Sequence, residues 1–211
     1  MAPEPRVRVT AAGPYVVKGG VPLRDANGAP IETGRTYALC RCGGSTTKPL
    51  CSDAHLAIGF SGEETADRGR IADRREAYRG QGITVYDDRS ICAHIGHCTD
   101  RLSSVFKLKQ EPWIDPRGAE AEAIAAVVRT CPSGALSYAL EGSPDPVEED
   151  RPPAVTVSKD GPYWVTGYIT LEAADGSTYE VRARYALCRC GGSRNKPFCD
   201  GTHWHIGFKG G

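Results

Sequence analysis

Apolar residues come along this chain in short alternating runs. Val7 and Val9 stand among Arg6 and Arg8, which is the period of a half-buried strand. A Gly13-Pro14 turn separates that run from Tyr15-Val16-Val17, and Tyr37-Ala38-Leu39 forms a third. Val155-Thr156-Val157 and Tyr163-Trp164-Val165 repeat the pattern towards the C-terminus. Between the two sets, Ile83-Thr84-Val85-Tyr86 reads as a strand and Trp113-Ile114 as part of another. A helix from about Ala119 to Thr130 would place Ile124, Val127, Val128 and Cys131 on one face. Pro132 stops it, and Ser133-Gly134 turns the chain into a strand over Leu136–Leu140.

The runs are organised by a duplication. Residues 1–60 repeat residues 149–208 at the constant offset of 148 that takes Cys40 to Cys188. The same offset pairs Gly13-Pro14-Tyr15 with Gly161-Pro162-Tyr163, and Ile58-Gly59-Phe60 with Ile206-Gly207-Phe208. The chain therefore divides into a first repeat over 1–62, a charged connector over 63–81 and a middle module over 82–140. A Pro- and acid-rich linker over 141–154 and a second repeat over 155–211 complete it. The connector reads as a solvated segment, and the linkers as flexible ends of an inserted middle module.

Composition sharpens this picture. With 25 Gly and 15 Pro the chain is rich in loops, and with four Phe and one Met it is poor in large core residues. Modules so short of core usually need a staple such as a metal. The 26 basic and 26 acidic residues balance, which gives no support to a nucleic-acid or anionic-membrane partner. No apolar run is long enough for a membrane span, and the N-terminus has no apolar signal segment; the expectation is an intracellular, cytoplasmic protein.

Nine cysteines disfavour a closed disulfide framework and fall into three trios: Cys40, Cys42, Cys51; Cys92, Cys98, Cys131; and Cys188, Cys190, Cys199. In the last trio Cys-x-Cys is followed by Cys199-Asp200-Gly201-Thr202-His203, so three thiolates and an imidazole fall within sixteen residues. Asp200 is a good N-cap for a helix carrying His203. The run Cys-x-Cys-x-x-Ser-x-x-x-Pro-x-Cys-Asp-Gly-Thr-His resembles the CDGSH (NEET) iron–sulfur family at every signature position. The resemblance implies a 2Fe-2S cluster on Cys188, Cys190, Cys199 and His203, and units that pair through strands about a two-fold axis.

The first copy keeps all four ligand positions as Cys40, Cys42, Cys51 and His55, while Asp-Gly-Thr becomes Ser52-Asp53-Ala54. Ser52 can cap the helix there, and Asp tolerates unusual φ better than most residues, so similar geometry is expected. His205, two residues beyond His203, reads as a surface side chain.

The middle module resembles a divergent single-cluster ferredoxin, with Cys92, Cys98 and the Cys131-Pro132 pair matching retained ligands. The usual middle cysteine would fall at Ile95, which cannot ligate. The resemblance then implies either a 3Fe-4S cluster on three thiolates or a 4Fe-4S cluster with His94 or His97 as fourth ligand.

The expected fold class is α+β, built of small β-rich metal-stapled modules, with two CDGSH units flanking a ferredoxin-like module. The repeats would pair within one chain as a pseudo-dimer, or between chains as a homodimer. The expected cofactors are two 2Fe-2S clusters and one 3Fe-4S or 4Fe-4S cluster. The expected function is electron transfer to or from a redox partner protein, with no catalytic residue. The alternatives are cluster donation to an apo iron–sulfur acceptor or redox sensing, and a structural zinc-binding interaction protein, since Cys₃His also binds zinc.

Overall fold

The computed structural model describes residues 4–143 and 145–210. Residues 1–3 of the first repeat, Pro144 of the linker and Gly211 of the second repeat lie outside them. The first alternating run becomes β1, Arg6–Val9, which buries Val7 and Val9 and exposes Arg8. Strand β2, Tyr15–Lys18, pairs antiparallel with β1; short β3, Leu23–Arg24, and β4, Pro30–Ile31, follow; β5, Thr36–Leu39, pairs with β2. One helical turn, α1, Ala54–Ala57, ends the repeat.

The middle of the chain holds α2, Ile71–Arg74, then β6, Glu76–Arg79, β7, Ile83–Asp87, α3, His97–Arg101, α4, Ala121–Arg129, and β8, Leu136–Leu140. Strands β6, β7 and β8 form an antiparallel sheet in that order. The amphipathic α4 lays Ile124, Ala125 and Val128 against Ile83, Val85, Leu136 and Tyr138. Trp113-Ile114 does not form a strand; Ile114 makes a single bridge to Phe106. The second repeat comprises β9, Ala154–Val157, β10, Tyr163–Thr166, β11, Thr170–Glu172, β12, Arg184–Leu187, and α5, Thr202–His205.

The repeats exchange strands. β11 of the second lies parallel to β1 of the first, with Leu171 opposite Val7. β3 of the first lies parallel to β9 of the second, with Leu23 opposite Val155. One sheet therefore runs β11-β1-β2-β5 and the other β12-β10-β9-β3-β4, so each repeat completes the other's sheet within one chain. Val7, Val9, Tyr15, Val17 and Leu39 share one core with Val155, Val157, Tyr163, Val165 and Leu187. The core that is scarce in either repeat alone is assembled where the two meet. Each buried Val or Leu is worth about 1.5–3 kcal/mol relative to exposure, and these contributions are gained when the repeats meet.

Two further expectations are corrected. Residues 63–81 are mostly exposed, as a solvated segment would be, but they are not a free connector: Thr65 and Ala66 donate backbone N–H to the Lys196 carbonyl, Glu64 accepts from Tyr179 at 2.7 Å, and β6 joins the middle sheet. The ends of the middle module are held. Val147 N–H bonds the Tyr138 carbonyl at 2.7 Å, and Arg151 donates to the Arg129 carbonyl at 2.6 Å. No helix among the described residues is long and apolar enough to cross a membrane.

Candidate metal centres

Each outer site is a loop folded back on its own strand. Cys40 N–H bonds the Pro49 carbonyl at 2.8 Å and Cys51 N–H the Ala38 carbonyl at 2.9 Å. Cys188 and Cys199 repeat both bonds, to Pro197 and Ala186, at the same lengths. The serine of the motif closes the loop: Ser45 Oγ donates to the Leu50 carbonyl at 2.6 Å, and Ser193 Oγ to the Phe198 carbonyl at 2.7 Å. As a result Cys40 and Cys42 Sγ lie 3.9 Å apart, and Cys51 Sγ lies 3.6 Å from His55 Nδ1. In the second copy the distances are 3.9 Å for Cys188–Cys190 and 3.4 Å for Cys199–His203. All nine cysteines are free.

The helix caps differ from expectation. The residue before α1 is Asp53, at φ 56°, and before α5 it is Gly201, at φ 83°; neither makes a side-chain cap. A left-handed residue turns the chain from cysteine to histidine in both copies. Ser52 instead accepts from Thr46 N–H at 3.1 Å, and Asp200 accepts from Arg194 N–H at 2.8 Å and Thr202 N–H at 3.0 Å.

Donor spacing bears on the metal. A tetrahedral zinc with Zn–S of about 2.3 Å would draw its donors to about 3.8 Å of one another. Among the described residues only Cys51, Asp53 and His55 have ligand atoms all within 4.8 Å of each other. Each outer site is thus two donor pairs standing apart, and the middle trio is wider than a single ion would hold.

The sites are built crosswise. Tyr15 of the first repeat donates its buried phenol to the carbonyls of Cys188 and Pro197, at 2.9 and 3.0 Å. Tyr163 of the second does the same for Cys40 and Pro49, at 2.8 and 3.0 Å. The two rings meet edge to face at 6.3 Å. Cys42 and Cys190 bridge across the same axis, and a Cβ on Gly43 or Gly191 would come within 2.5 Å of the opposite cysteine's carbonyl oxygen. The arginines inside Cys-x-Cys are buried: Arg41 bonds the Thr10 and Gly62 carbonyls, and Arg189 the Ser158 carbonyl. Arg41 lies over Tyr15 and Phe60, and Arg189 over Tyr163 and Phe208.

These residues fit an iron–sulfur group. The thiols are soft donors, and the Gly44 and Asp53 N–H groups each point at a sulfur at 3.4 Å. Burial pushes the Cys199 thiol up to about 12 and the Cys92 thiol up to about 11, so metal binding must displace those protons. The buried guanidiniums supply opposing charge. Burial also lowers the His203 pKa, holding the imidazole neutral, the form that binds metal.

In the middle, Cys92 follows a single turn over Arg89–Ile91, Cys98 lies in α3, and Cys131 follows α4. The three line a small, partly open cavity together with Asp87, Ile95, Trp113 and Pro132. Ile95 packs with Ala93 against Ala186 and Cys199 of the second repeat. Both candidate histidines border the cavity but have other engagements. His97 Nδ1 lies 3.4 Å from the Thr130 carbonyl oxygen, and its ring meets Trp164 edge-on at 6.5 Å. His94 is exposed and packs beside Gly201.

Sequence reasoning missed Tyr15, Tyr163, Arg41, Arg189 and Asp87. The first four carry a signal, since each keeps its identity at the repeat offset. His205 is exposed, as expected.

The family model described as "Iron-binding zinc finger CDGSH type" matches residues 12–56 and 160–204. That described as "Divergent 4Fe-4S mono-cluster" matches residues 78–141. Two curated relatives, each named "Uncharacterized protein YjdI", come from Escherichia coli strain K12 and Escherichia coli O157:H7. Each is 43% identical over 72 residues, which is 34% of this chain and 95% of the relative. No solved structure matches.

Proposed function

Because the chain belongs to the CDGSH-type iron-binding proteins and carries a divergent 4Fe-4S mono-cluster unit between its two copies, we propose that it is an electron-transfer protein with three centres. Cys40, Cys42, Cys51 and His55 would hold one 2Fe-2S cluster, and Cys188, Cys190, Cys199 and His203 the other. Cys92, Cys98 and Cys131 would hold a ferredoxin-type 3Fe-4S or 4Fe-4S cluster. A bound iron–sulfur cluster supplies one-electron chemistry; the chain supplies position, charge and shelter.

One observation carries the reading. The middle trio stands directly against the second outer site, where Ala93 packs on Cys199 and Ala186 with Ile95 alongside, and the Cys92 sulfur lies close enough for its charge to raise the Cys199 pKa. Adjoining centres separated by packed side chains suit electron exchange. The pairwise donor spacing favours two-iron groups over single zinc ions. Imidazole is neutral where thiolate is negative, so His55 and His203 reduce the negative charge of their sites and raise the potential, as in Rieske centres. On this reading the chain performs no catalysis of its own and works as a monomer in the cytoplasm. Its partner is a redox protein, for which the exposed Leu56 and Ile58 beside His55 are a suitable contact.

The test is iron and sulfide per chain on anaerobically prepared protein, with stepwise reduction followed by EPR. The expectation is three centres, with a magnetic interaction between the middle and second ones. Colourless, zinc-loaded protein without acid-labile sulfide would overturn the reading. Cluster donation is the second reading, favoured by the half-exposed Cys51 and His55. Transfer of colour to an apo-ferredoxin without net electron flow would select it.

A further inference from the structure

Strand β7 places Ile83, Val85 and Asp87 on one buried face. The first two are ordinary core. The third is a carboxylate at 5% exposure, where the alternation calls for an apolar side chain. A buried carboxylate is tolerated when both oxygens find partners. Here one oxygen, Oδ2, lies 3.2 Å from Nε of Arg89; Oδ1 is buried without a hydrogen bond of ordinary geometry among the described residues, with the Trp113 side chain close enough to favour the charged carboxylate.

Asp87 lines the cavity shared by Cys92, Cys98 and Cys131. That trio lacks a fourth thiolate, because Ile95 fills the usual cysteine position and packs towards the second repeat. His97 holds its Nδ1 3.4 Å from the Thr130 carbonyl oxygen and His94 is exposed; unlike Asp87, neither has a buried side-chain atom without a partner among the described residues. The unmet oxygen and the missing thiolate belong to one cavity.

We propose that the Asp87 carboxylate is the fourth ligand of the middle cluster, with Arg89 steadying its other oxygen. This rests on the reading that the trio holds a ferredoxin-type cluster. An oxygen donor is harder than a thiolate and suits iron less well than sulfur does. The iron at Asp87 is therefore the labile one: a one-electron oxidant takes a 4Fe-4S centre of charge 2+ to a 3Fe-4S centre of charge 1+ with release of that iron as Fe²⁺, and a one-electron reductant with Fe²⁺ restores it.

The test uses the full chain, prepared anaerobically and incubated with ferrous iron and reductant, and reads iron per chain with the EPR of the middle centre. The parent protein is expected to hold four irons there and to shed one on mild oxidation. Asp87→Asn is expected to carry one iron fewer per chain and to show the three-iron signal from the outset. Asp87→Cys is expected to keep the fourth iron through the oxidation that strips the parent. His94→Ala and His97→Ala should keep four irons. The proposal falls if Asp87→Asn retains all its iron, if either histidine variant loses one, or if the parent holds three irons throughout. Should Asp87→Asn fail to fold, Asp87→Cys decides: loss of the fourth iron on oxidation sinks the proposal. In each of these cases acid-labile sulfide would show that the cluster reading itself survives, and its absence from the parent would remove both.

Discussion

The two repeats offer the same four donors, and each sets its Cys-x-Cys sulfurs 3.9 Å apart, yet one site is open and the other closed. The difference begins in the strands that deliver them. In β5 Thr36 is exposed and Ala38 half-buried, whereas in β12 all four residues are buried. The middle module covers the outer face of β12. Arg184 donates to the Cys131 carbonyl at 2.6 Å and to the Leu136 carbonyl at 3.3 Å, and Ala186 packs against Ala93. Cys199 and His203 are buried in consequence, while Cys51 and His55 are half-exposed. A duplicated sequence can thus fix the donors, while a third module sets their surroundings.

The largest expected effect tests what the copies still share. Gly43 and Gly191 adopt φ of 78° and 80°, and each leaves room only for a hydrogen where it faces the opposite cysteine's backbone. Alanine at either position combines backbone strain with a clash that no flexible side chain can relieve. Gly43→Ala and Gly191→Ala should each cost about 3 kcal/mol or more. Denaturant unfolding should show equal losses; a much smaller loss for Gly43 would mean that the axis is not shared.

Removing the cover should make the closed copy resemble the open one. Arg184→Ala leaves the Cys131 and Leu136 carbonyls and Glu148 without their buried partner. It should cost about 2–3 kcal/mol. It should also speed loss of the second-site chromophore towards the rate at the first site. Thr36→Ala, at the corresponding place in the first repeat, should change neither; loss rates measured by visible absorption decide this.

These asymmetries also mark the limit of what the chain disclosed before its fold was known. The donors, the duplication and the apolar face of α4 were legible, because each is a local pattern of identity or period. Strand exchange was not: alternation tells which face Val7 buries but not that Leu171 lies beside it. Charge in residues 63–81 reads as solvation until Arg68 is seen paired with Asp175 at 2.8 Å, across more than a hundred residues of sequence. Asp87 closes an alternating strand, where a polar residue looks like the strand's end and not like an inward side chain.

A smaller effect runs crosswise. Tyr15 belongs to the first repeat but holds the carbonyls of Cys188 and Pro197 in the second. Tyr15→Phe should cost about 1–2 kcal/mol and loosen the second site. Tyr163→Phe should loosen the first. Resonance Raman bands of the iron–ligand bonds, assigned with His55→Cys and His203→Cys variants, would show which site responds. If each tyrosine perturbs its own repeat's site, the strand-exchanged arrangement is wrong.

The smallest and most selective difference is in acid. A histidine holds metal only while it is neutral, so protons compete with the cluster. Burial lowers the His203 pKa from 6.5, so its neutral form persists to lower pH than in an open chain. The sign follows from proton counting. Below pH 6.5 the unfolded chain binds a proton that the folded one refuses, so this histidine's contribution to stability is constant above that pH and falls as the pH drops through it. His55 is less buried than His203, so solvent reaches its site more freely. Titrating the full chain downwards should bleach the first site before the second, in two steps. His203→Cys should blunt the later step and His55→Cys the earlier. A single step, unmoved by either variant, would show that burial by the middle module does not govern the acid response, and that the two copies are chemically equivalent despite their different surroundings.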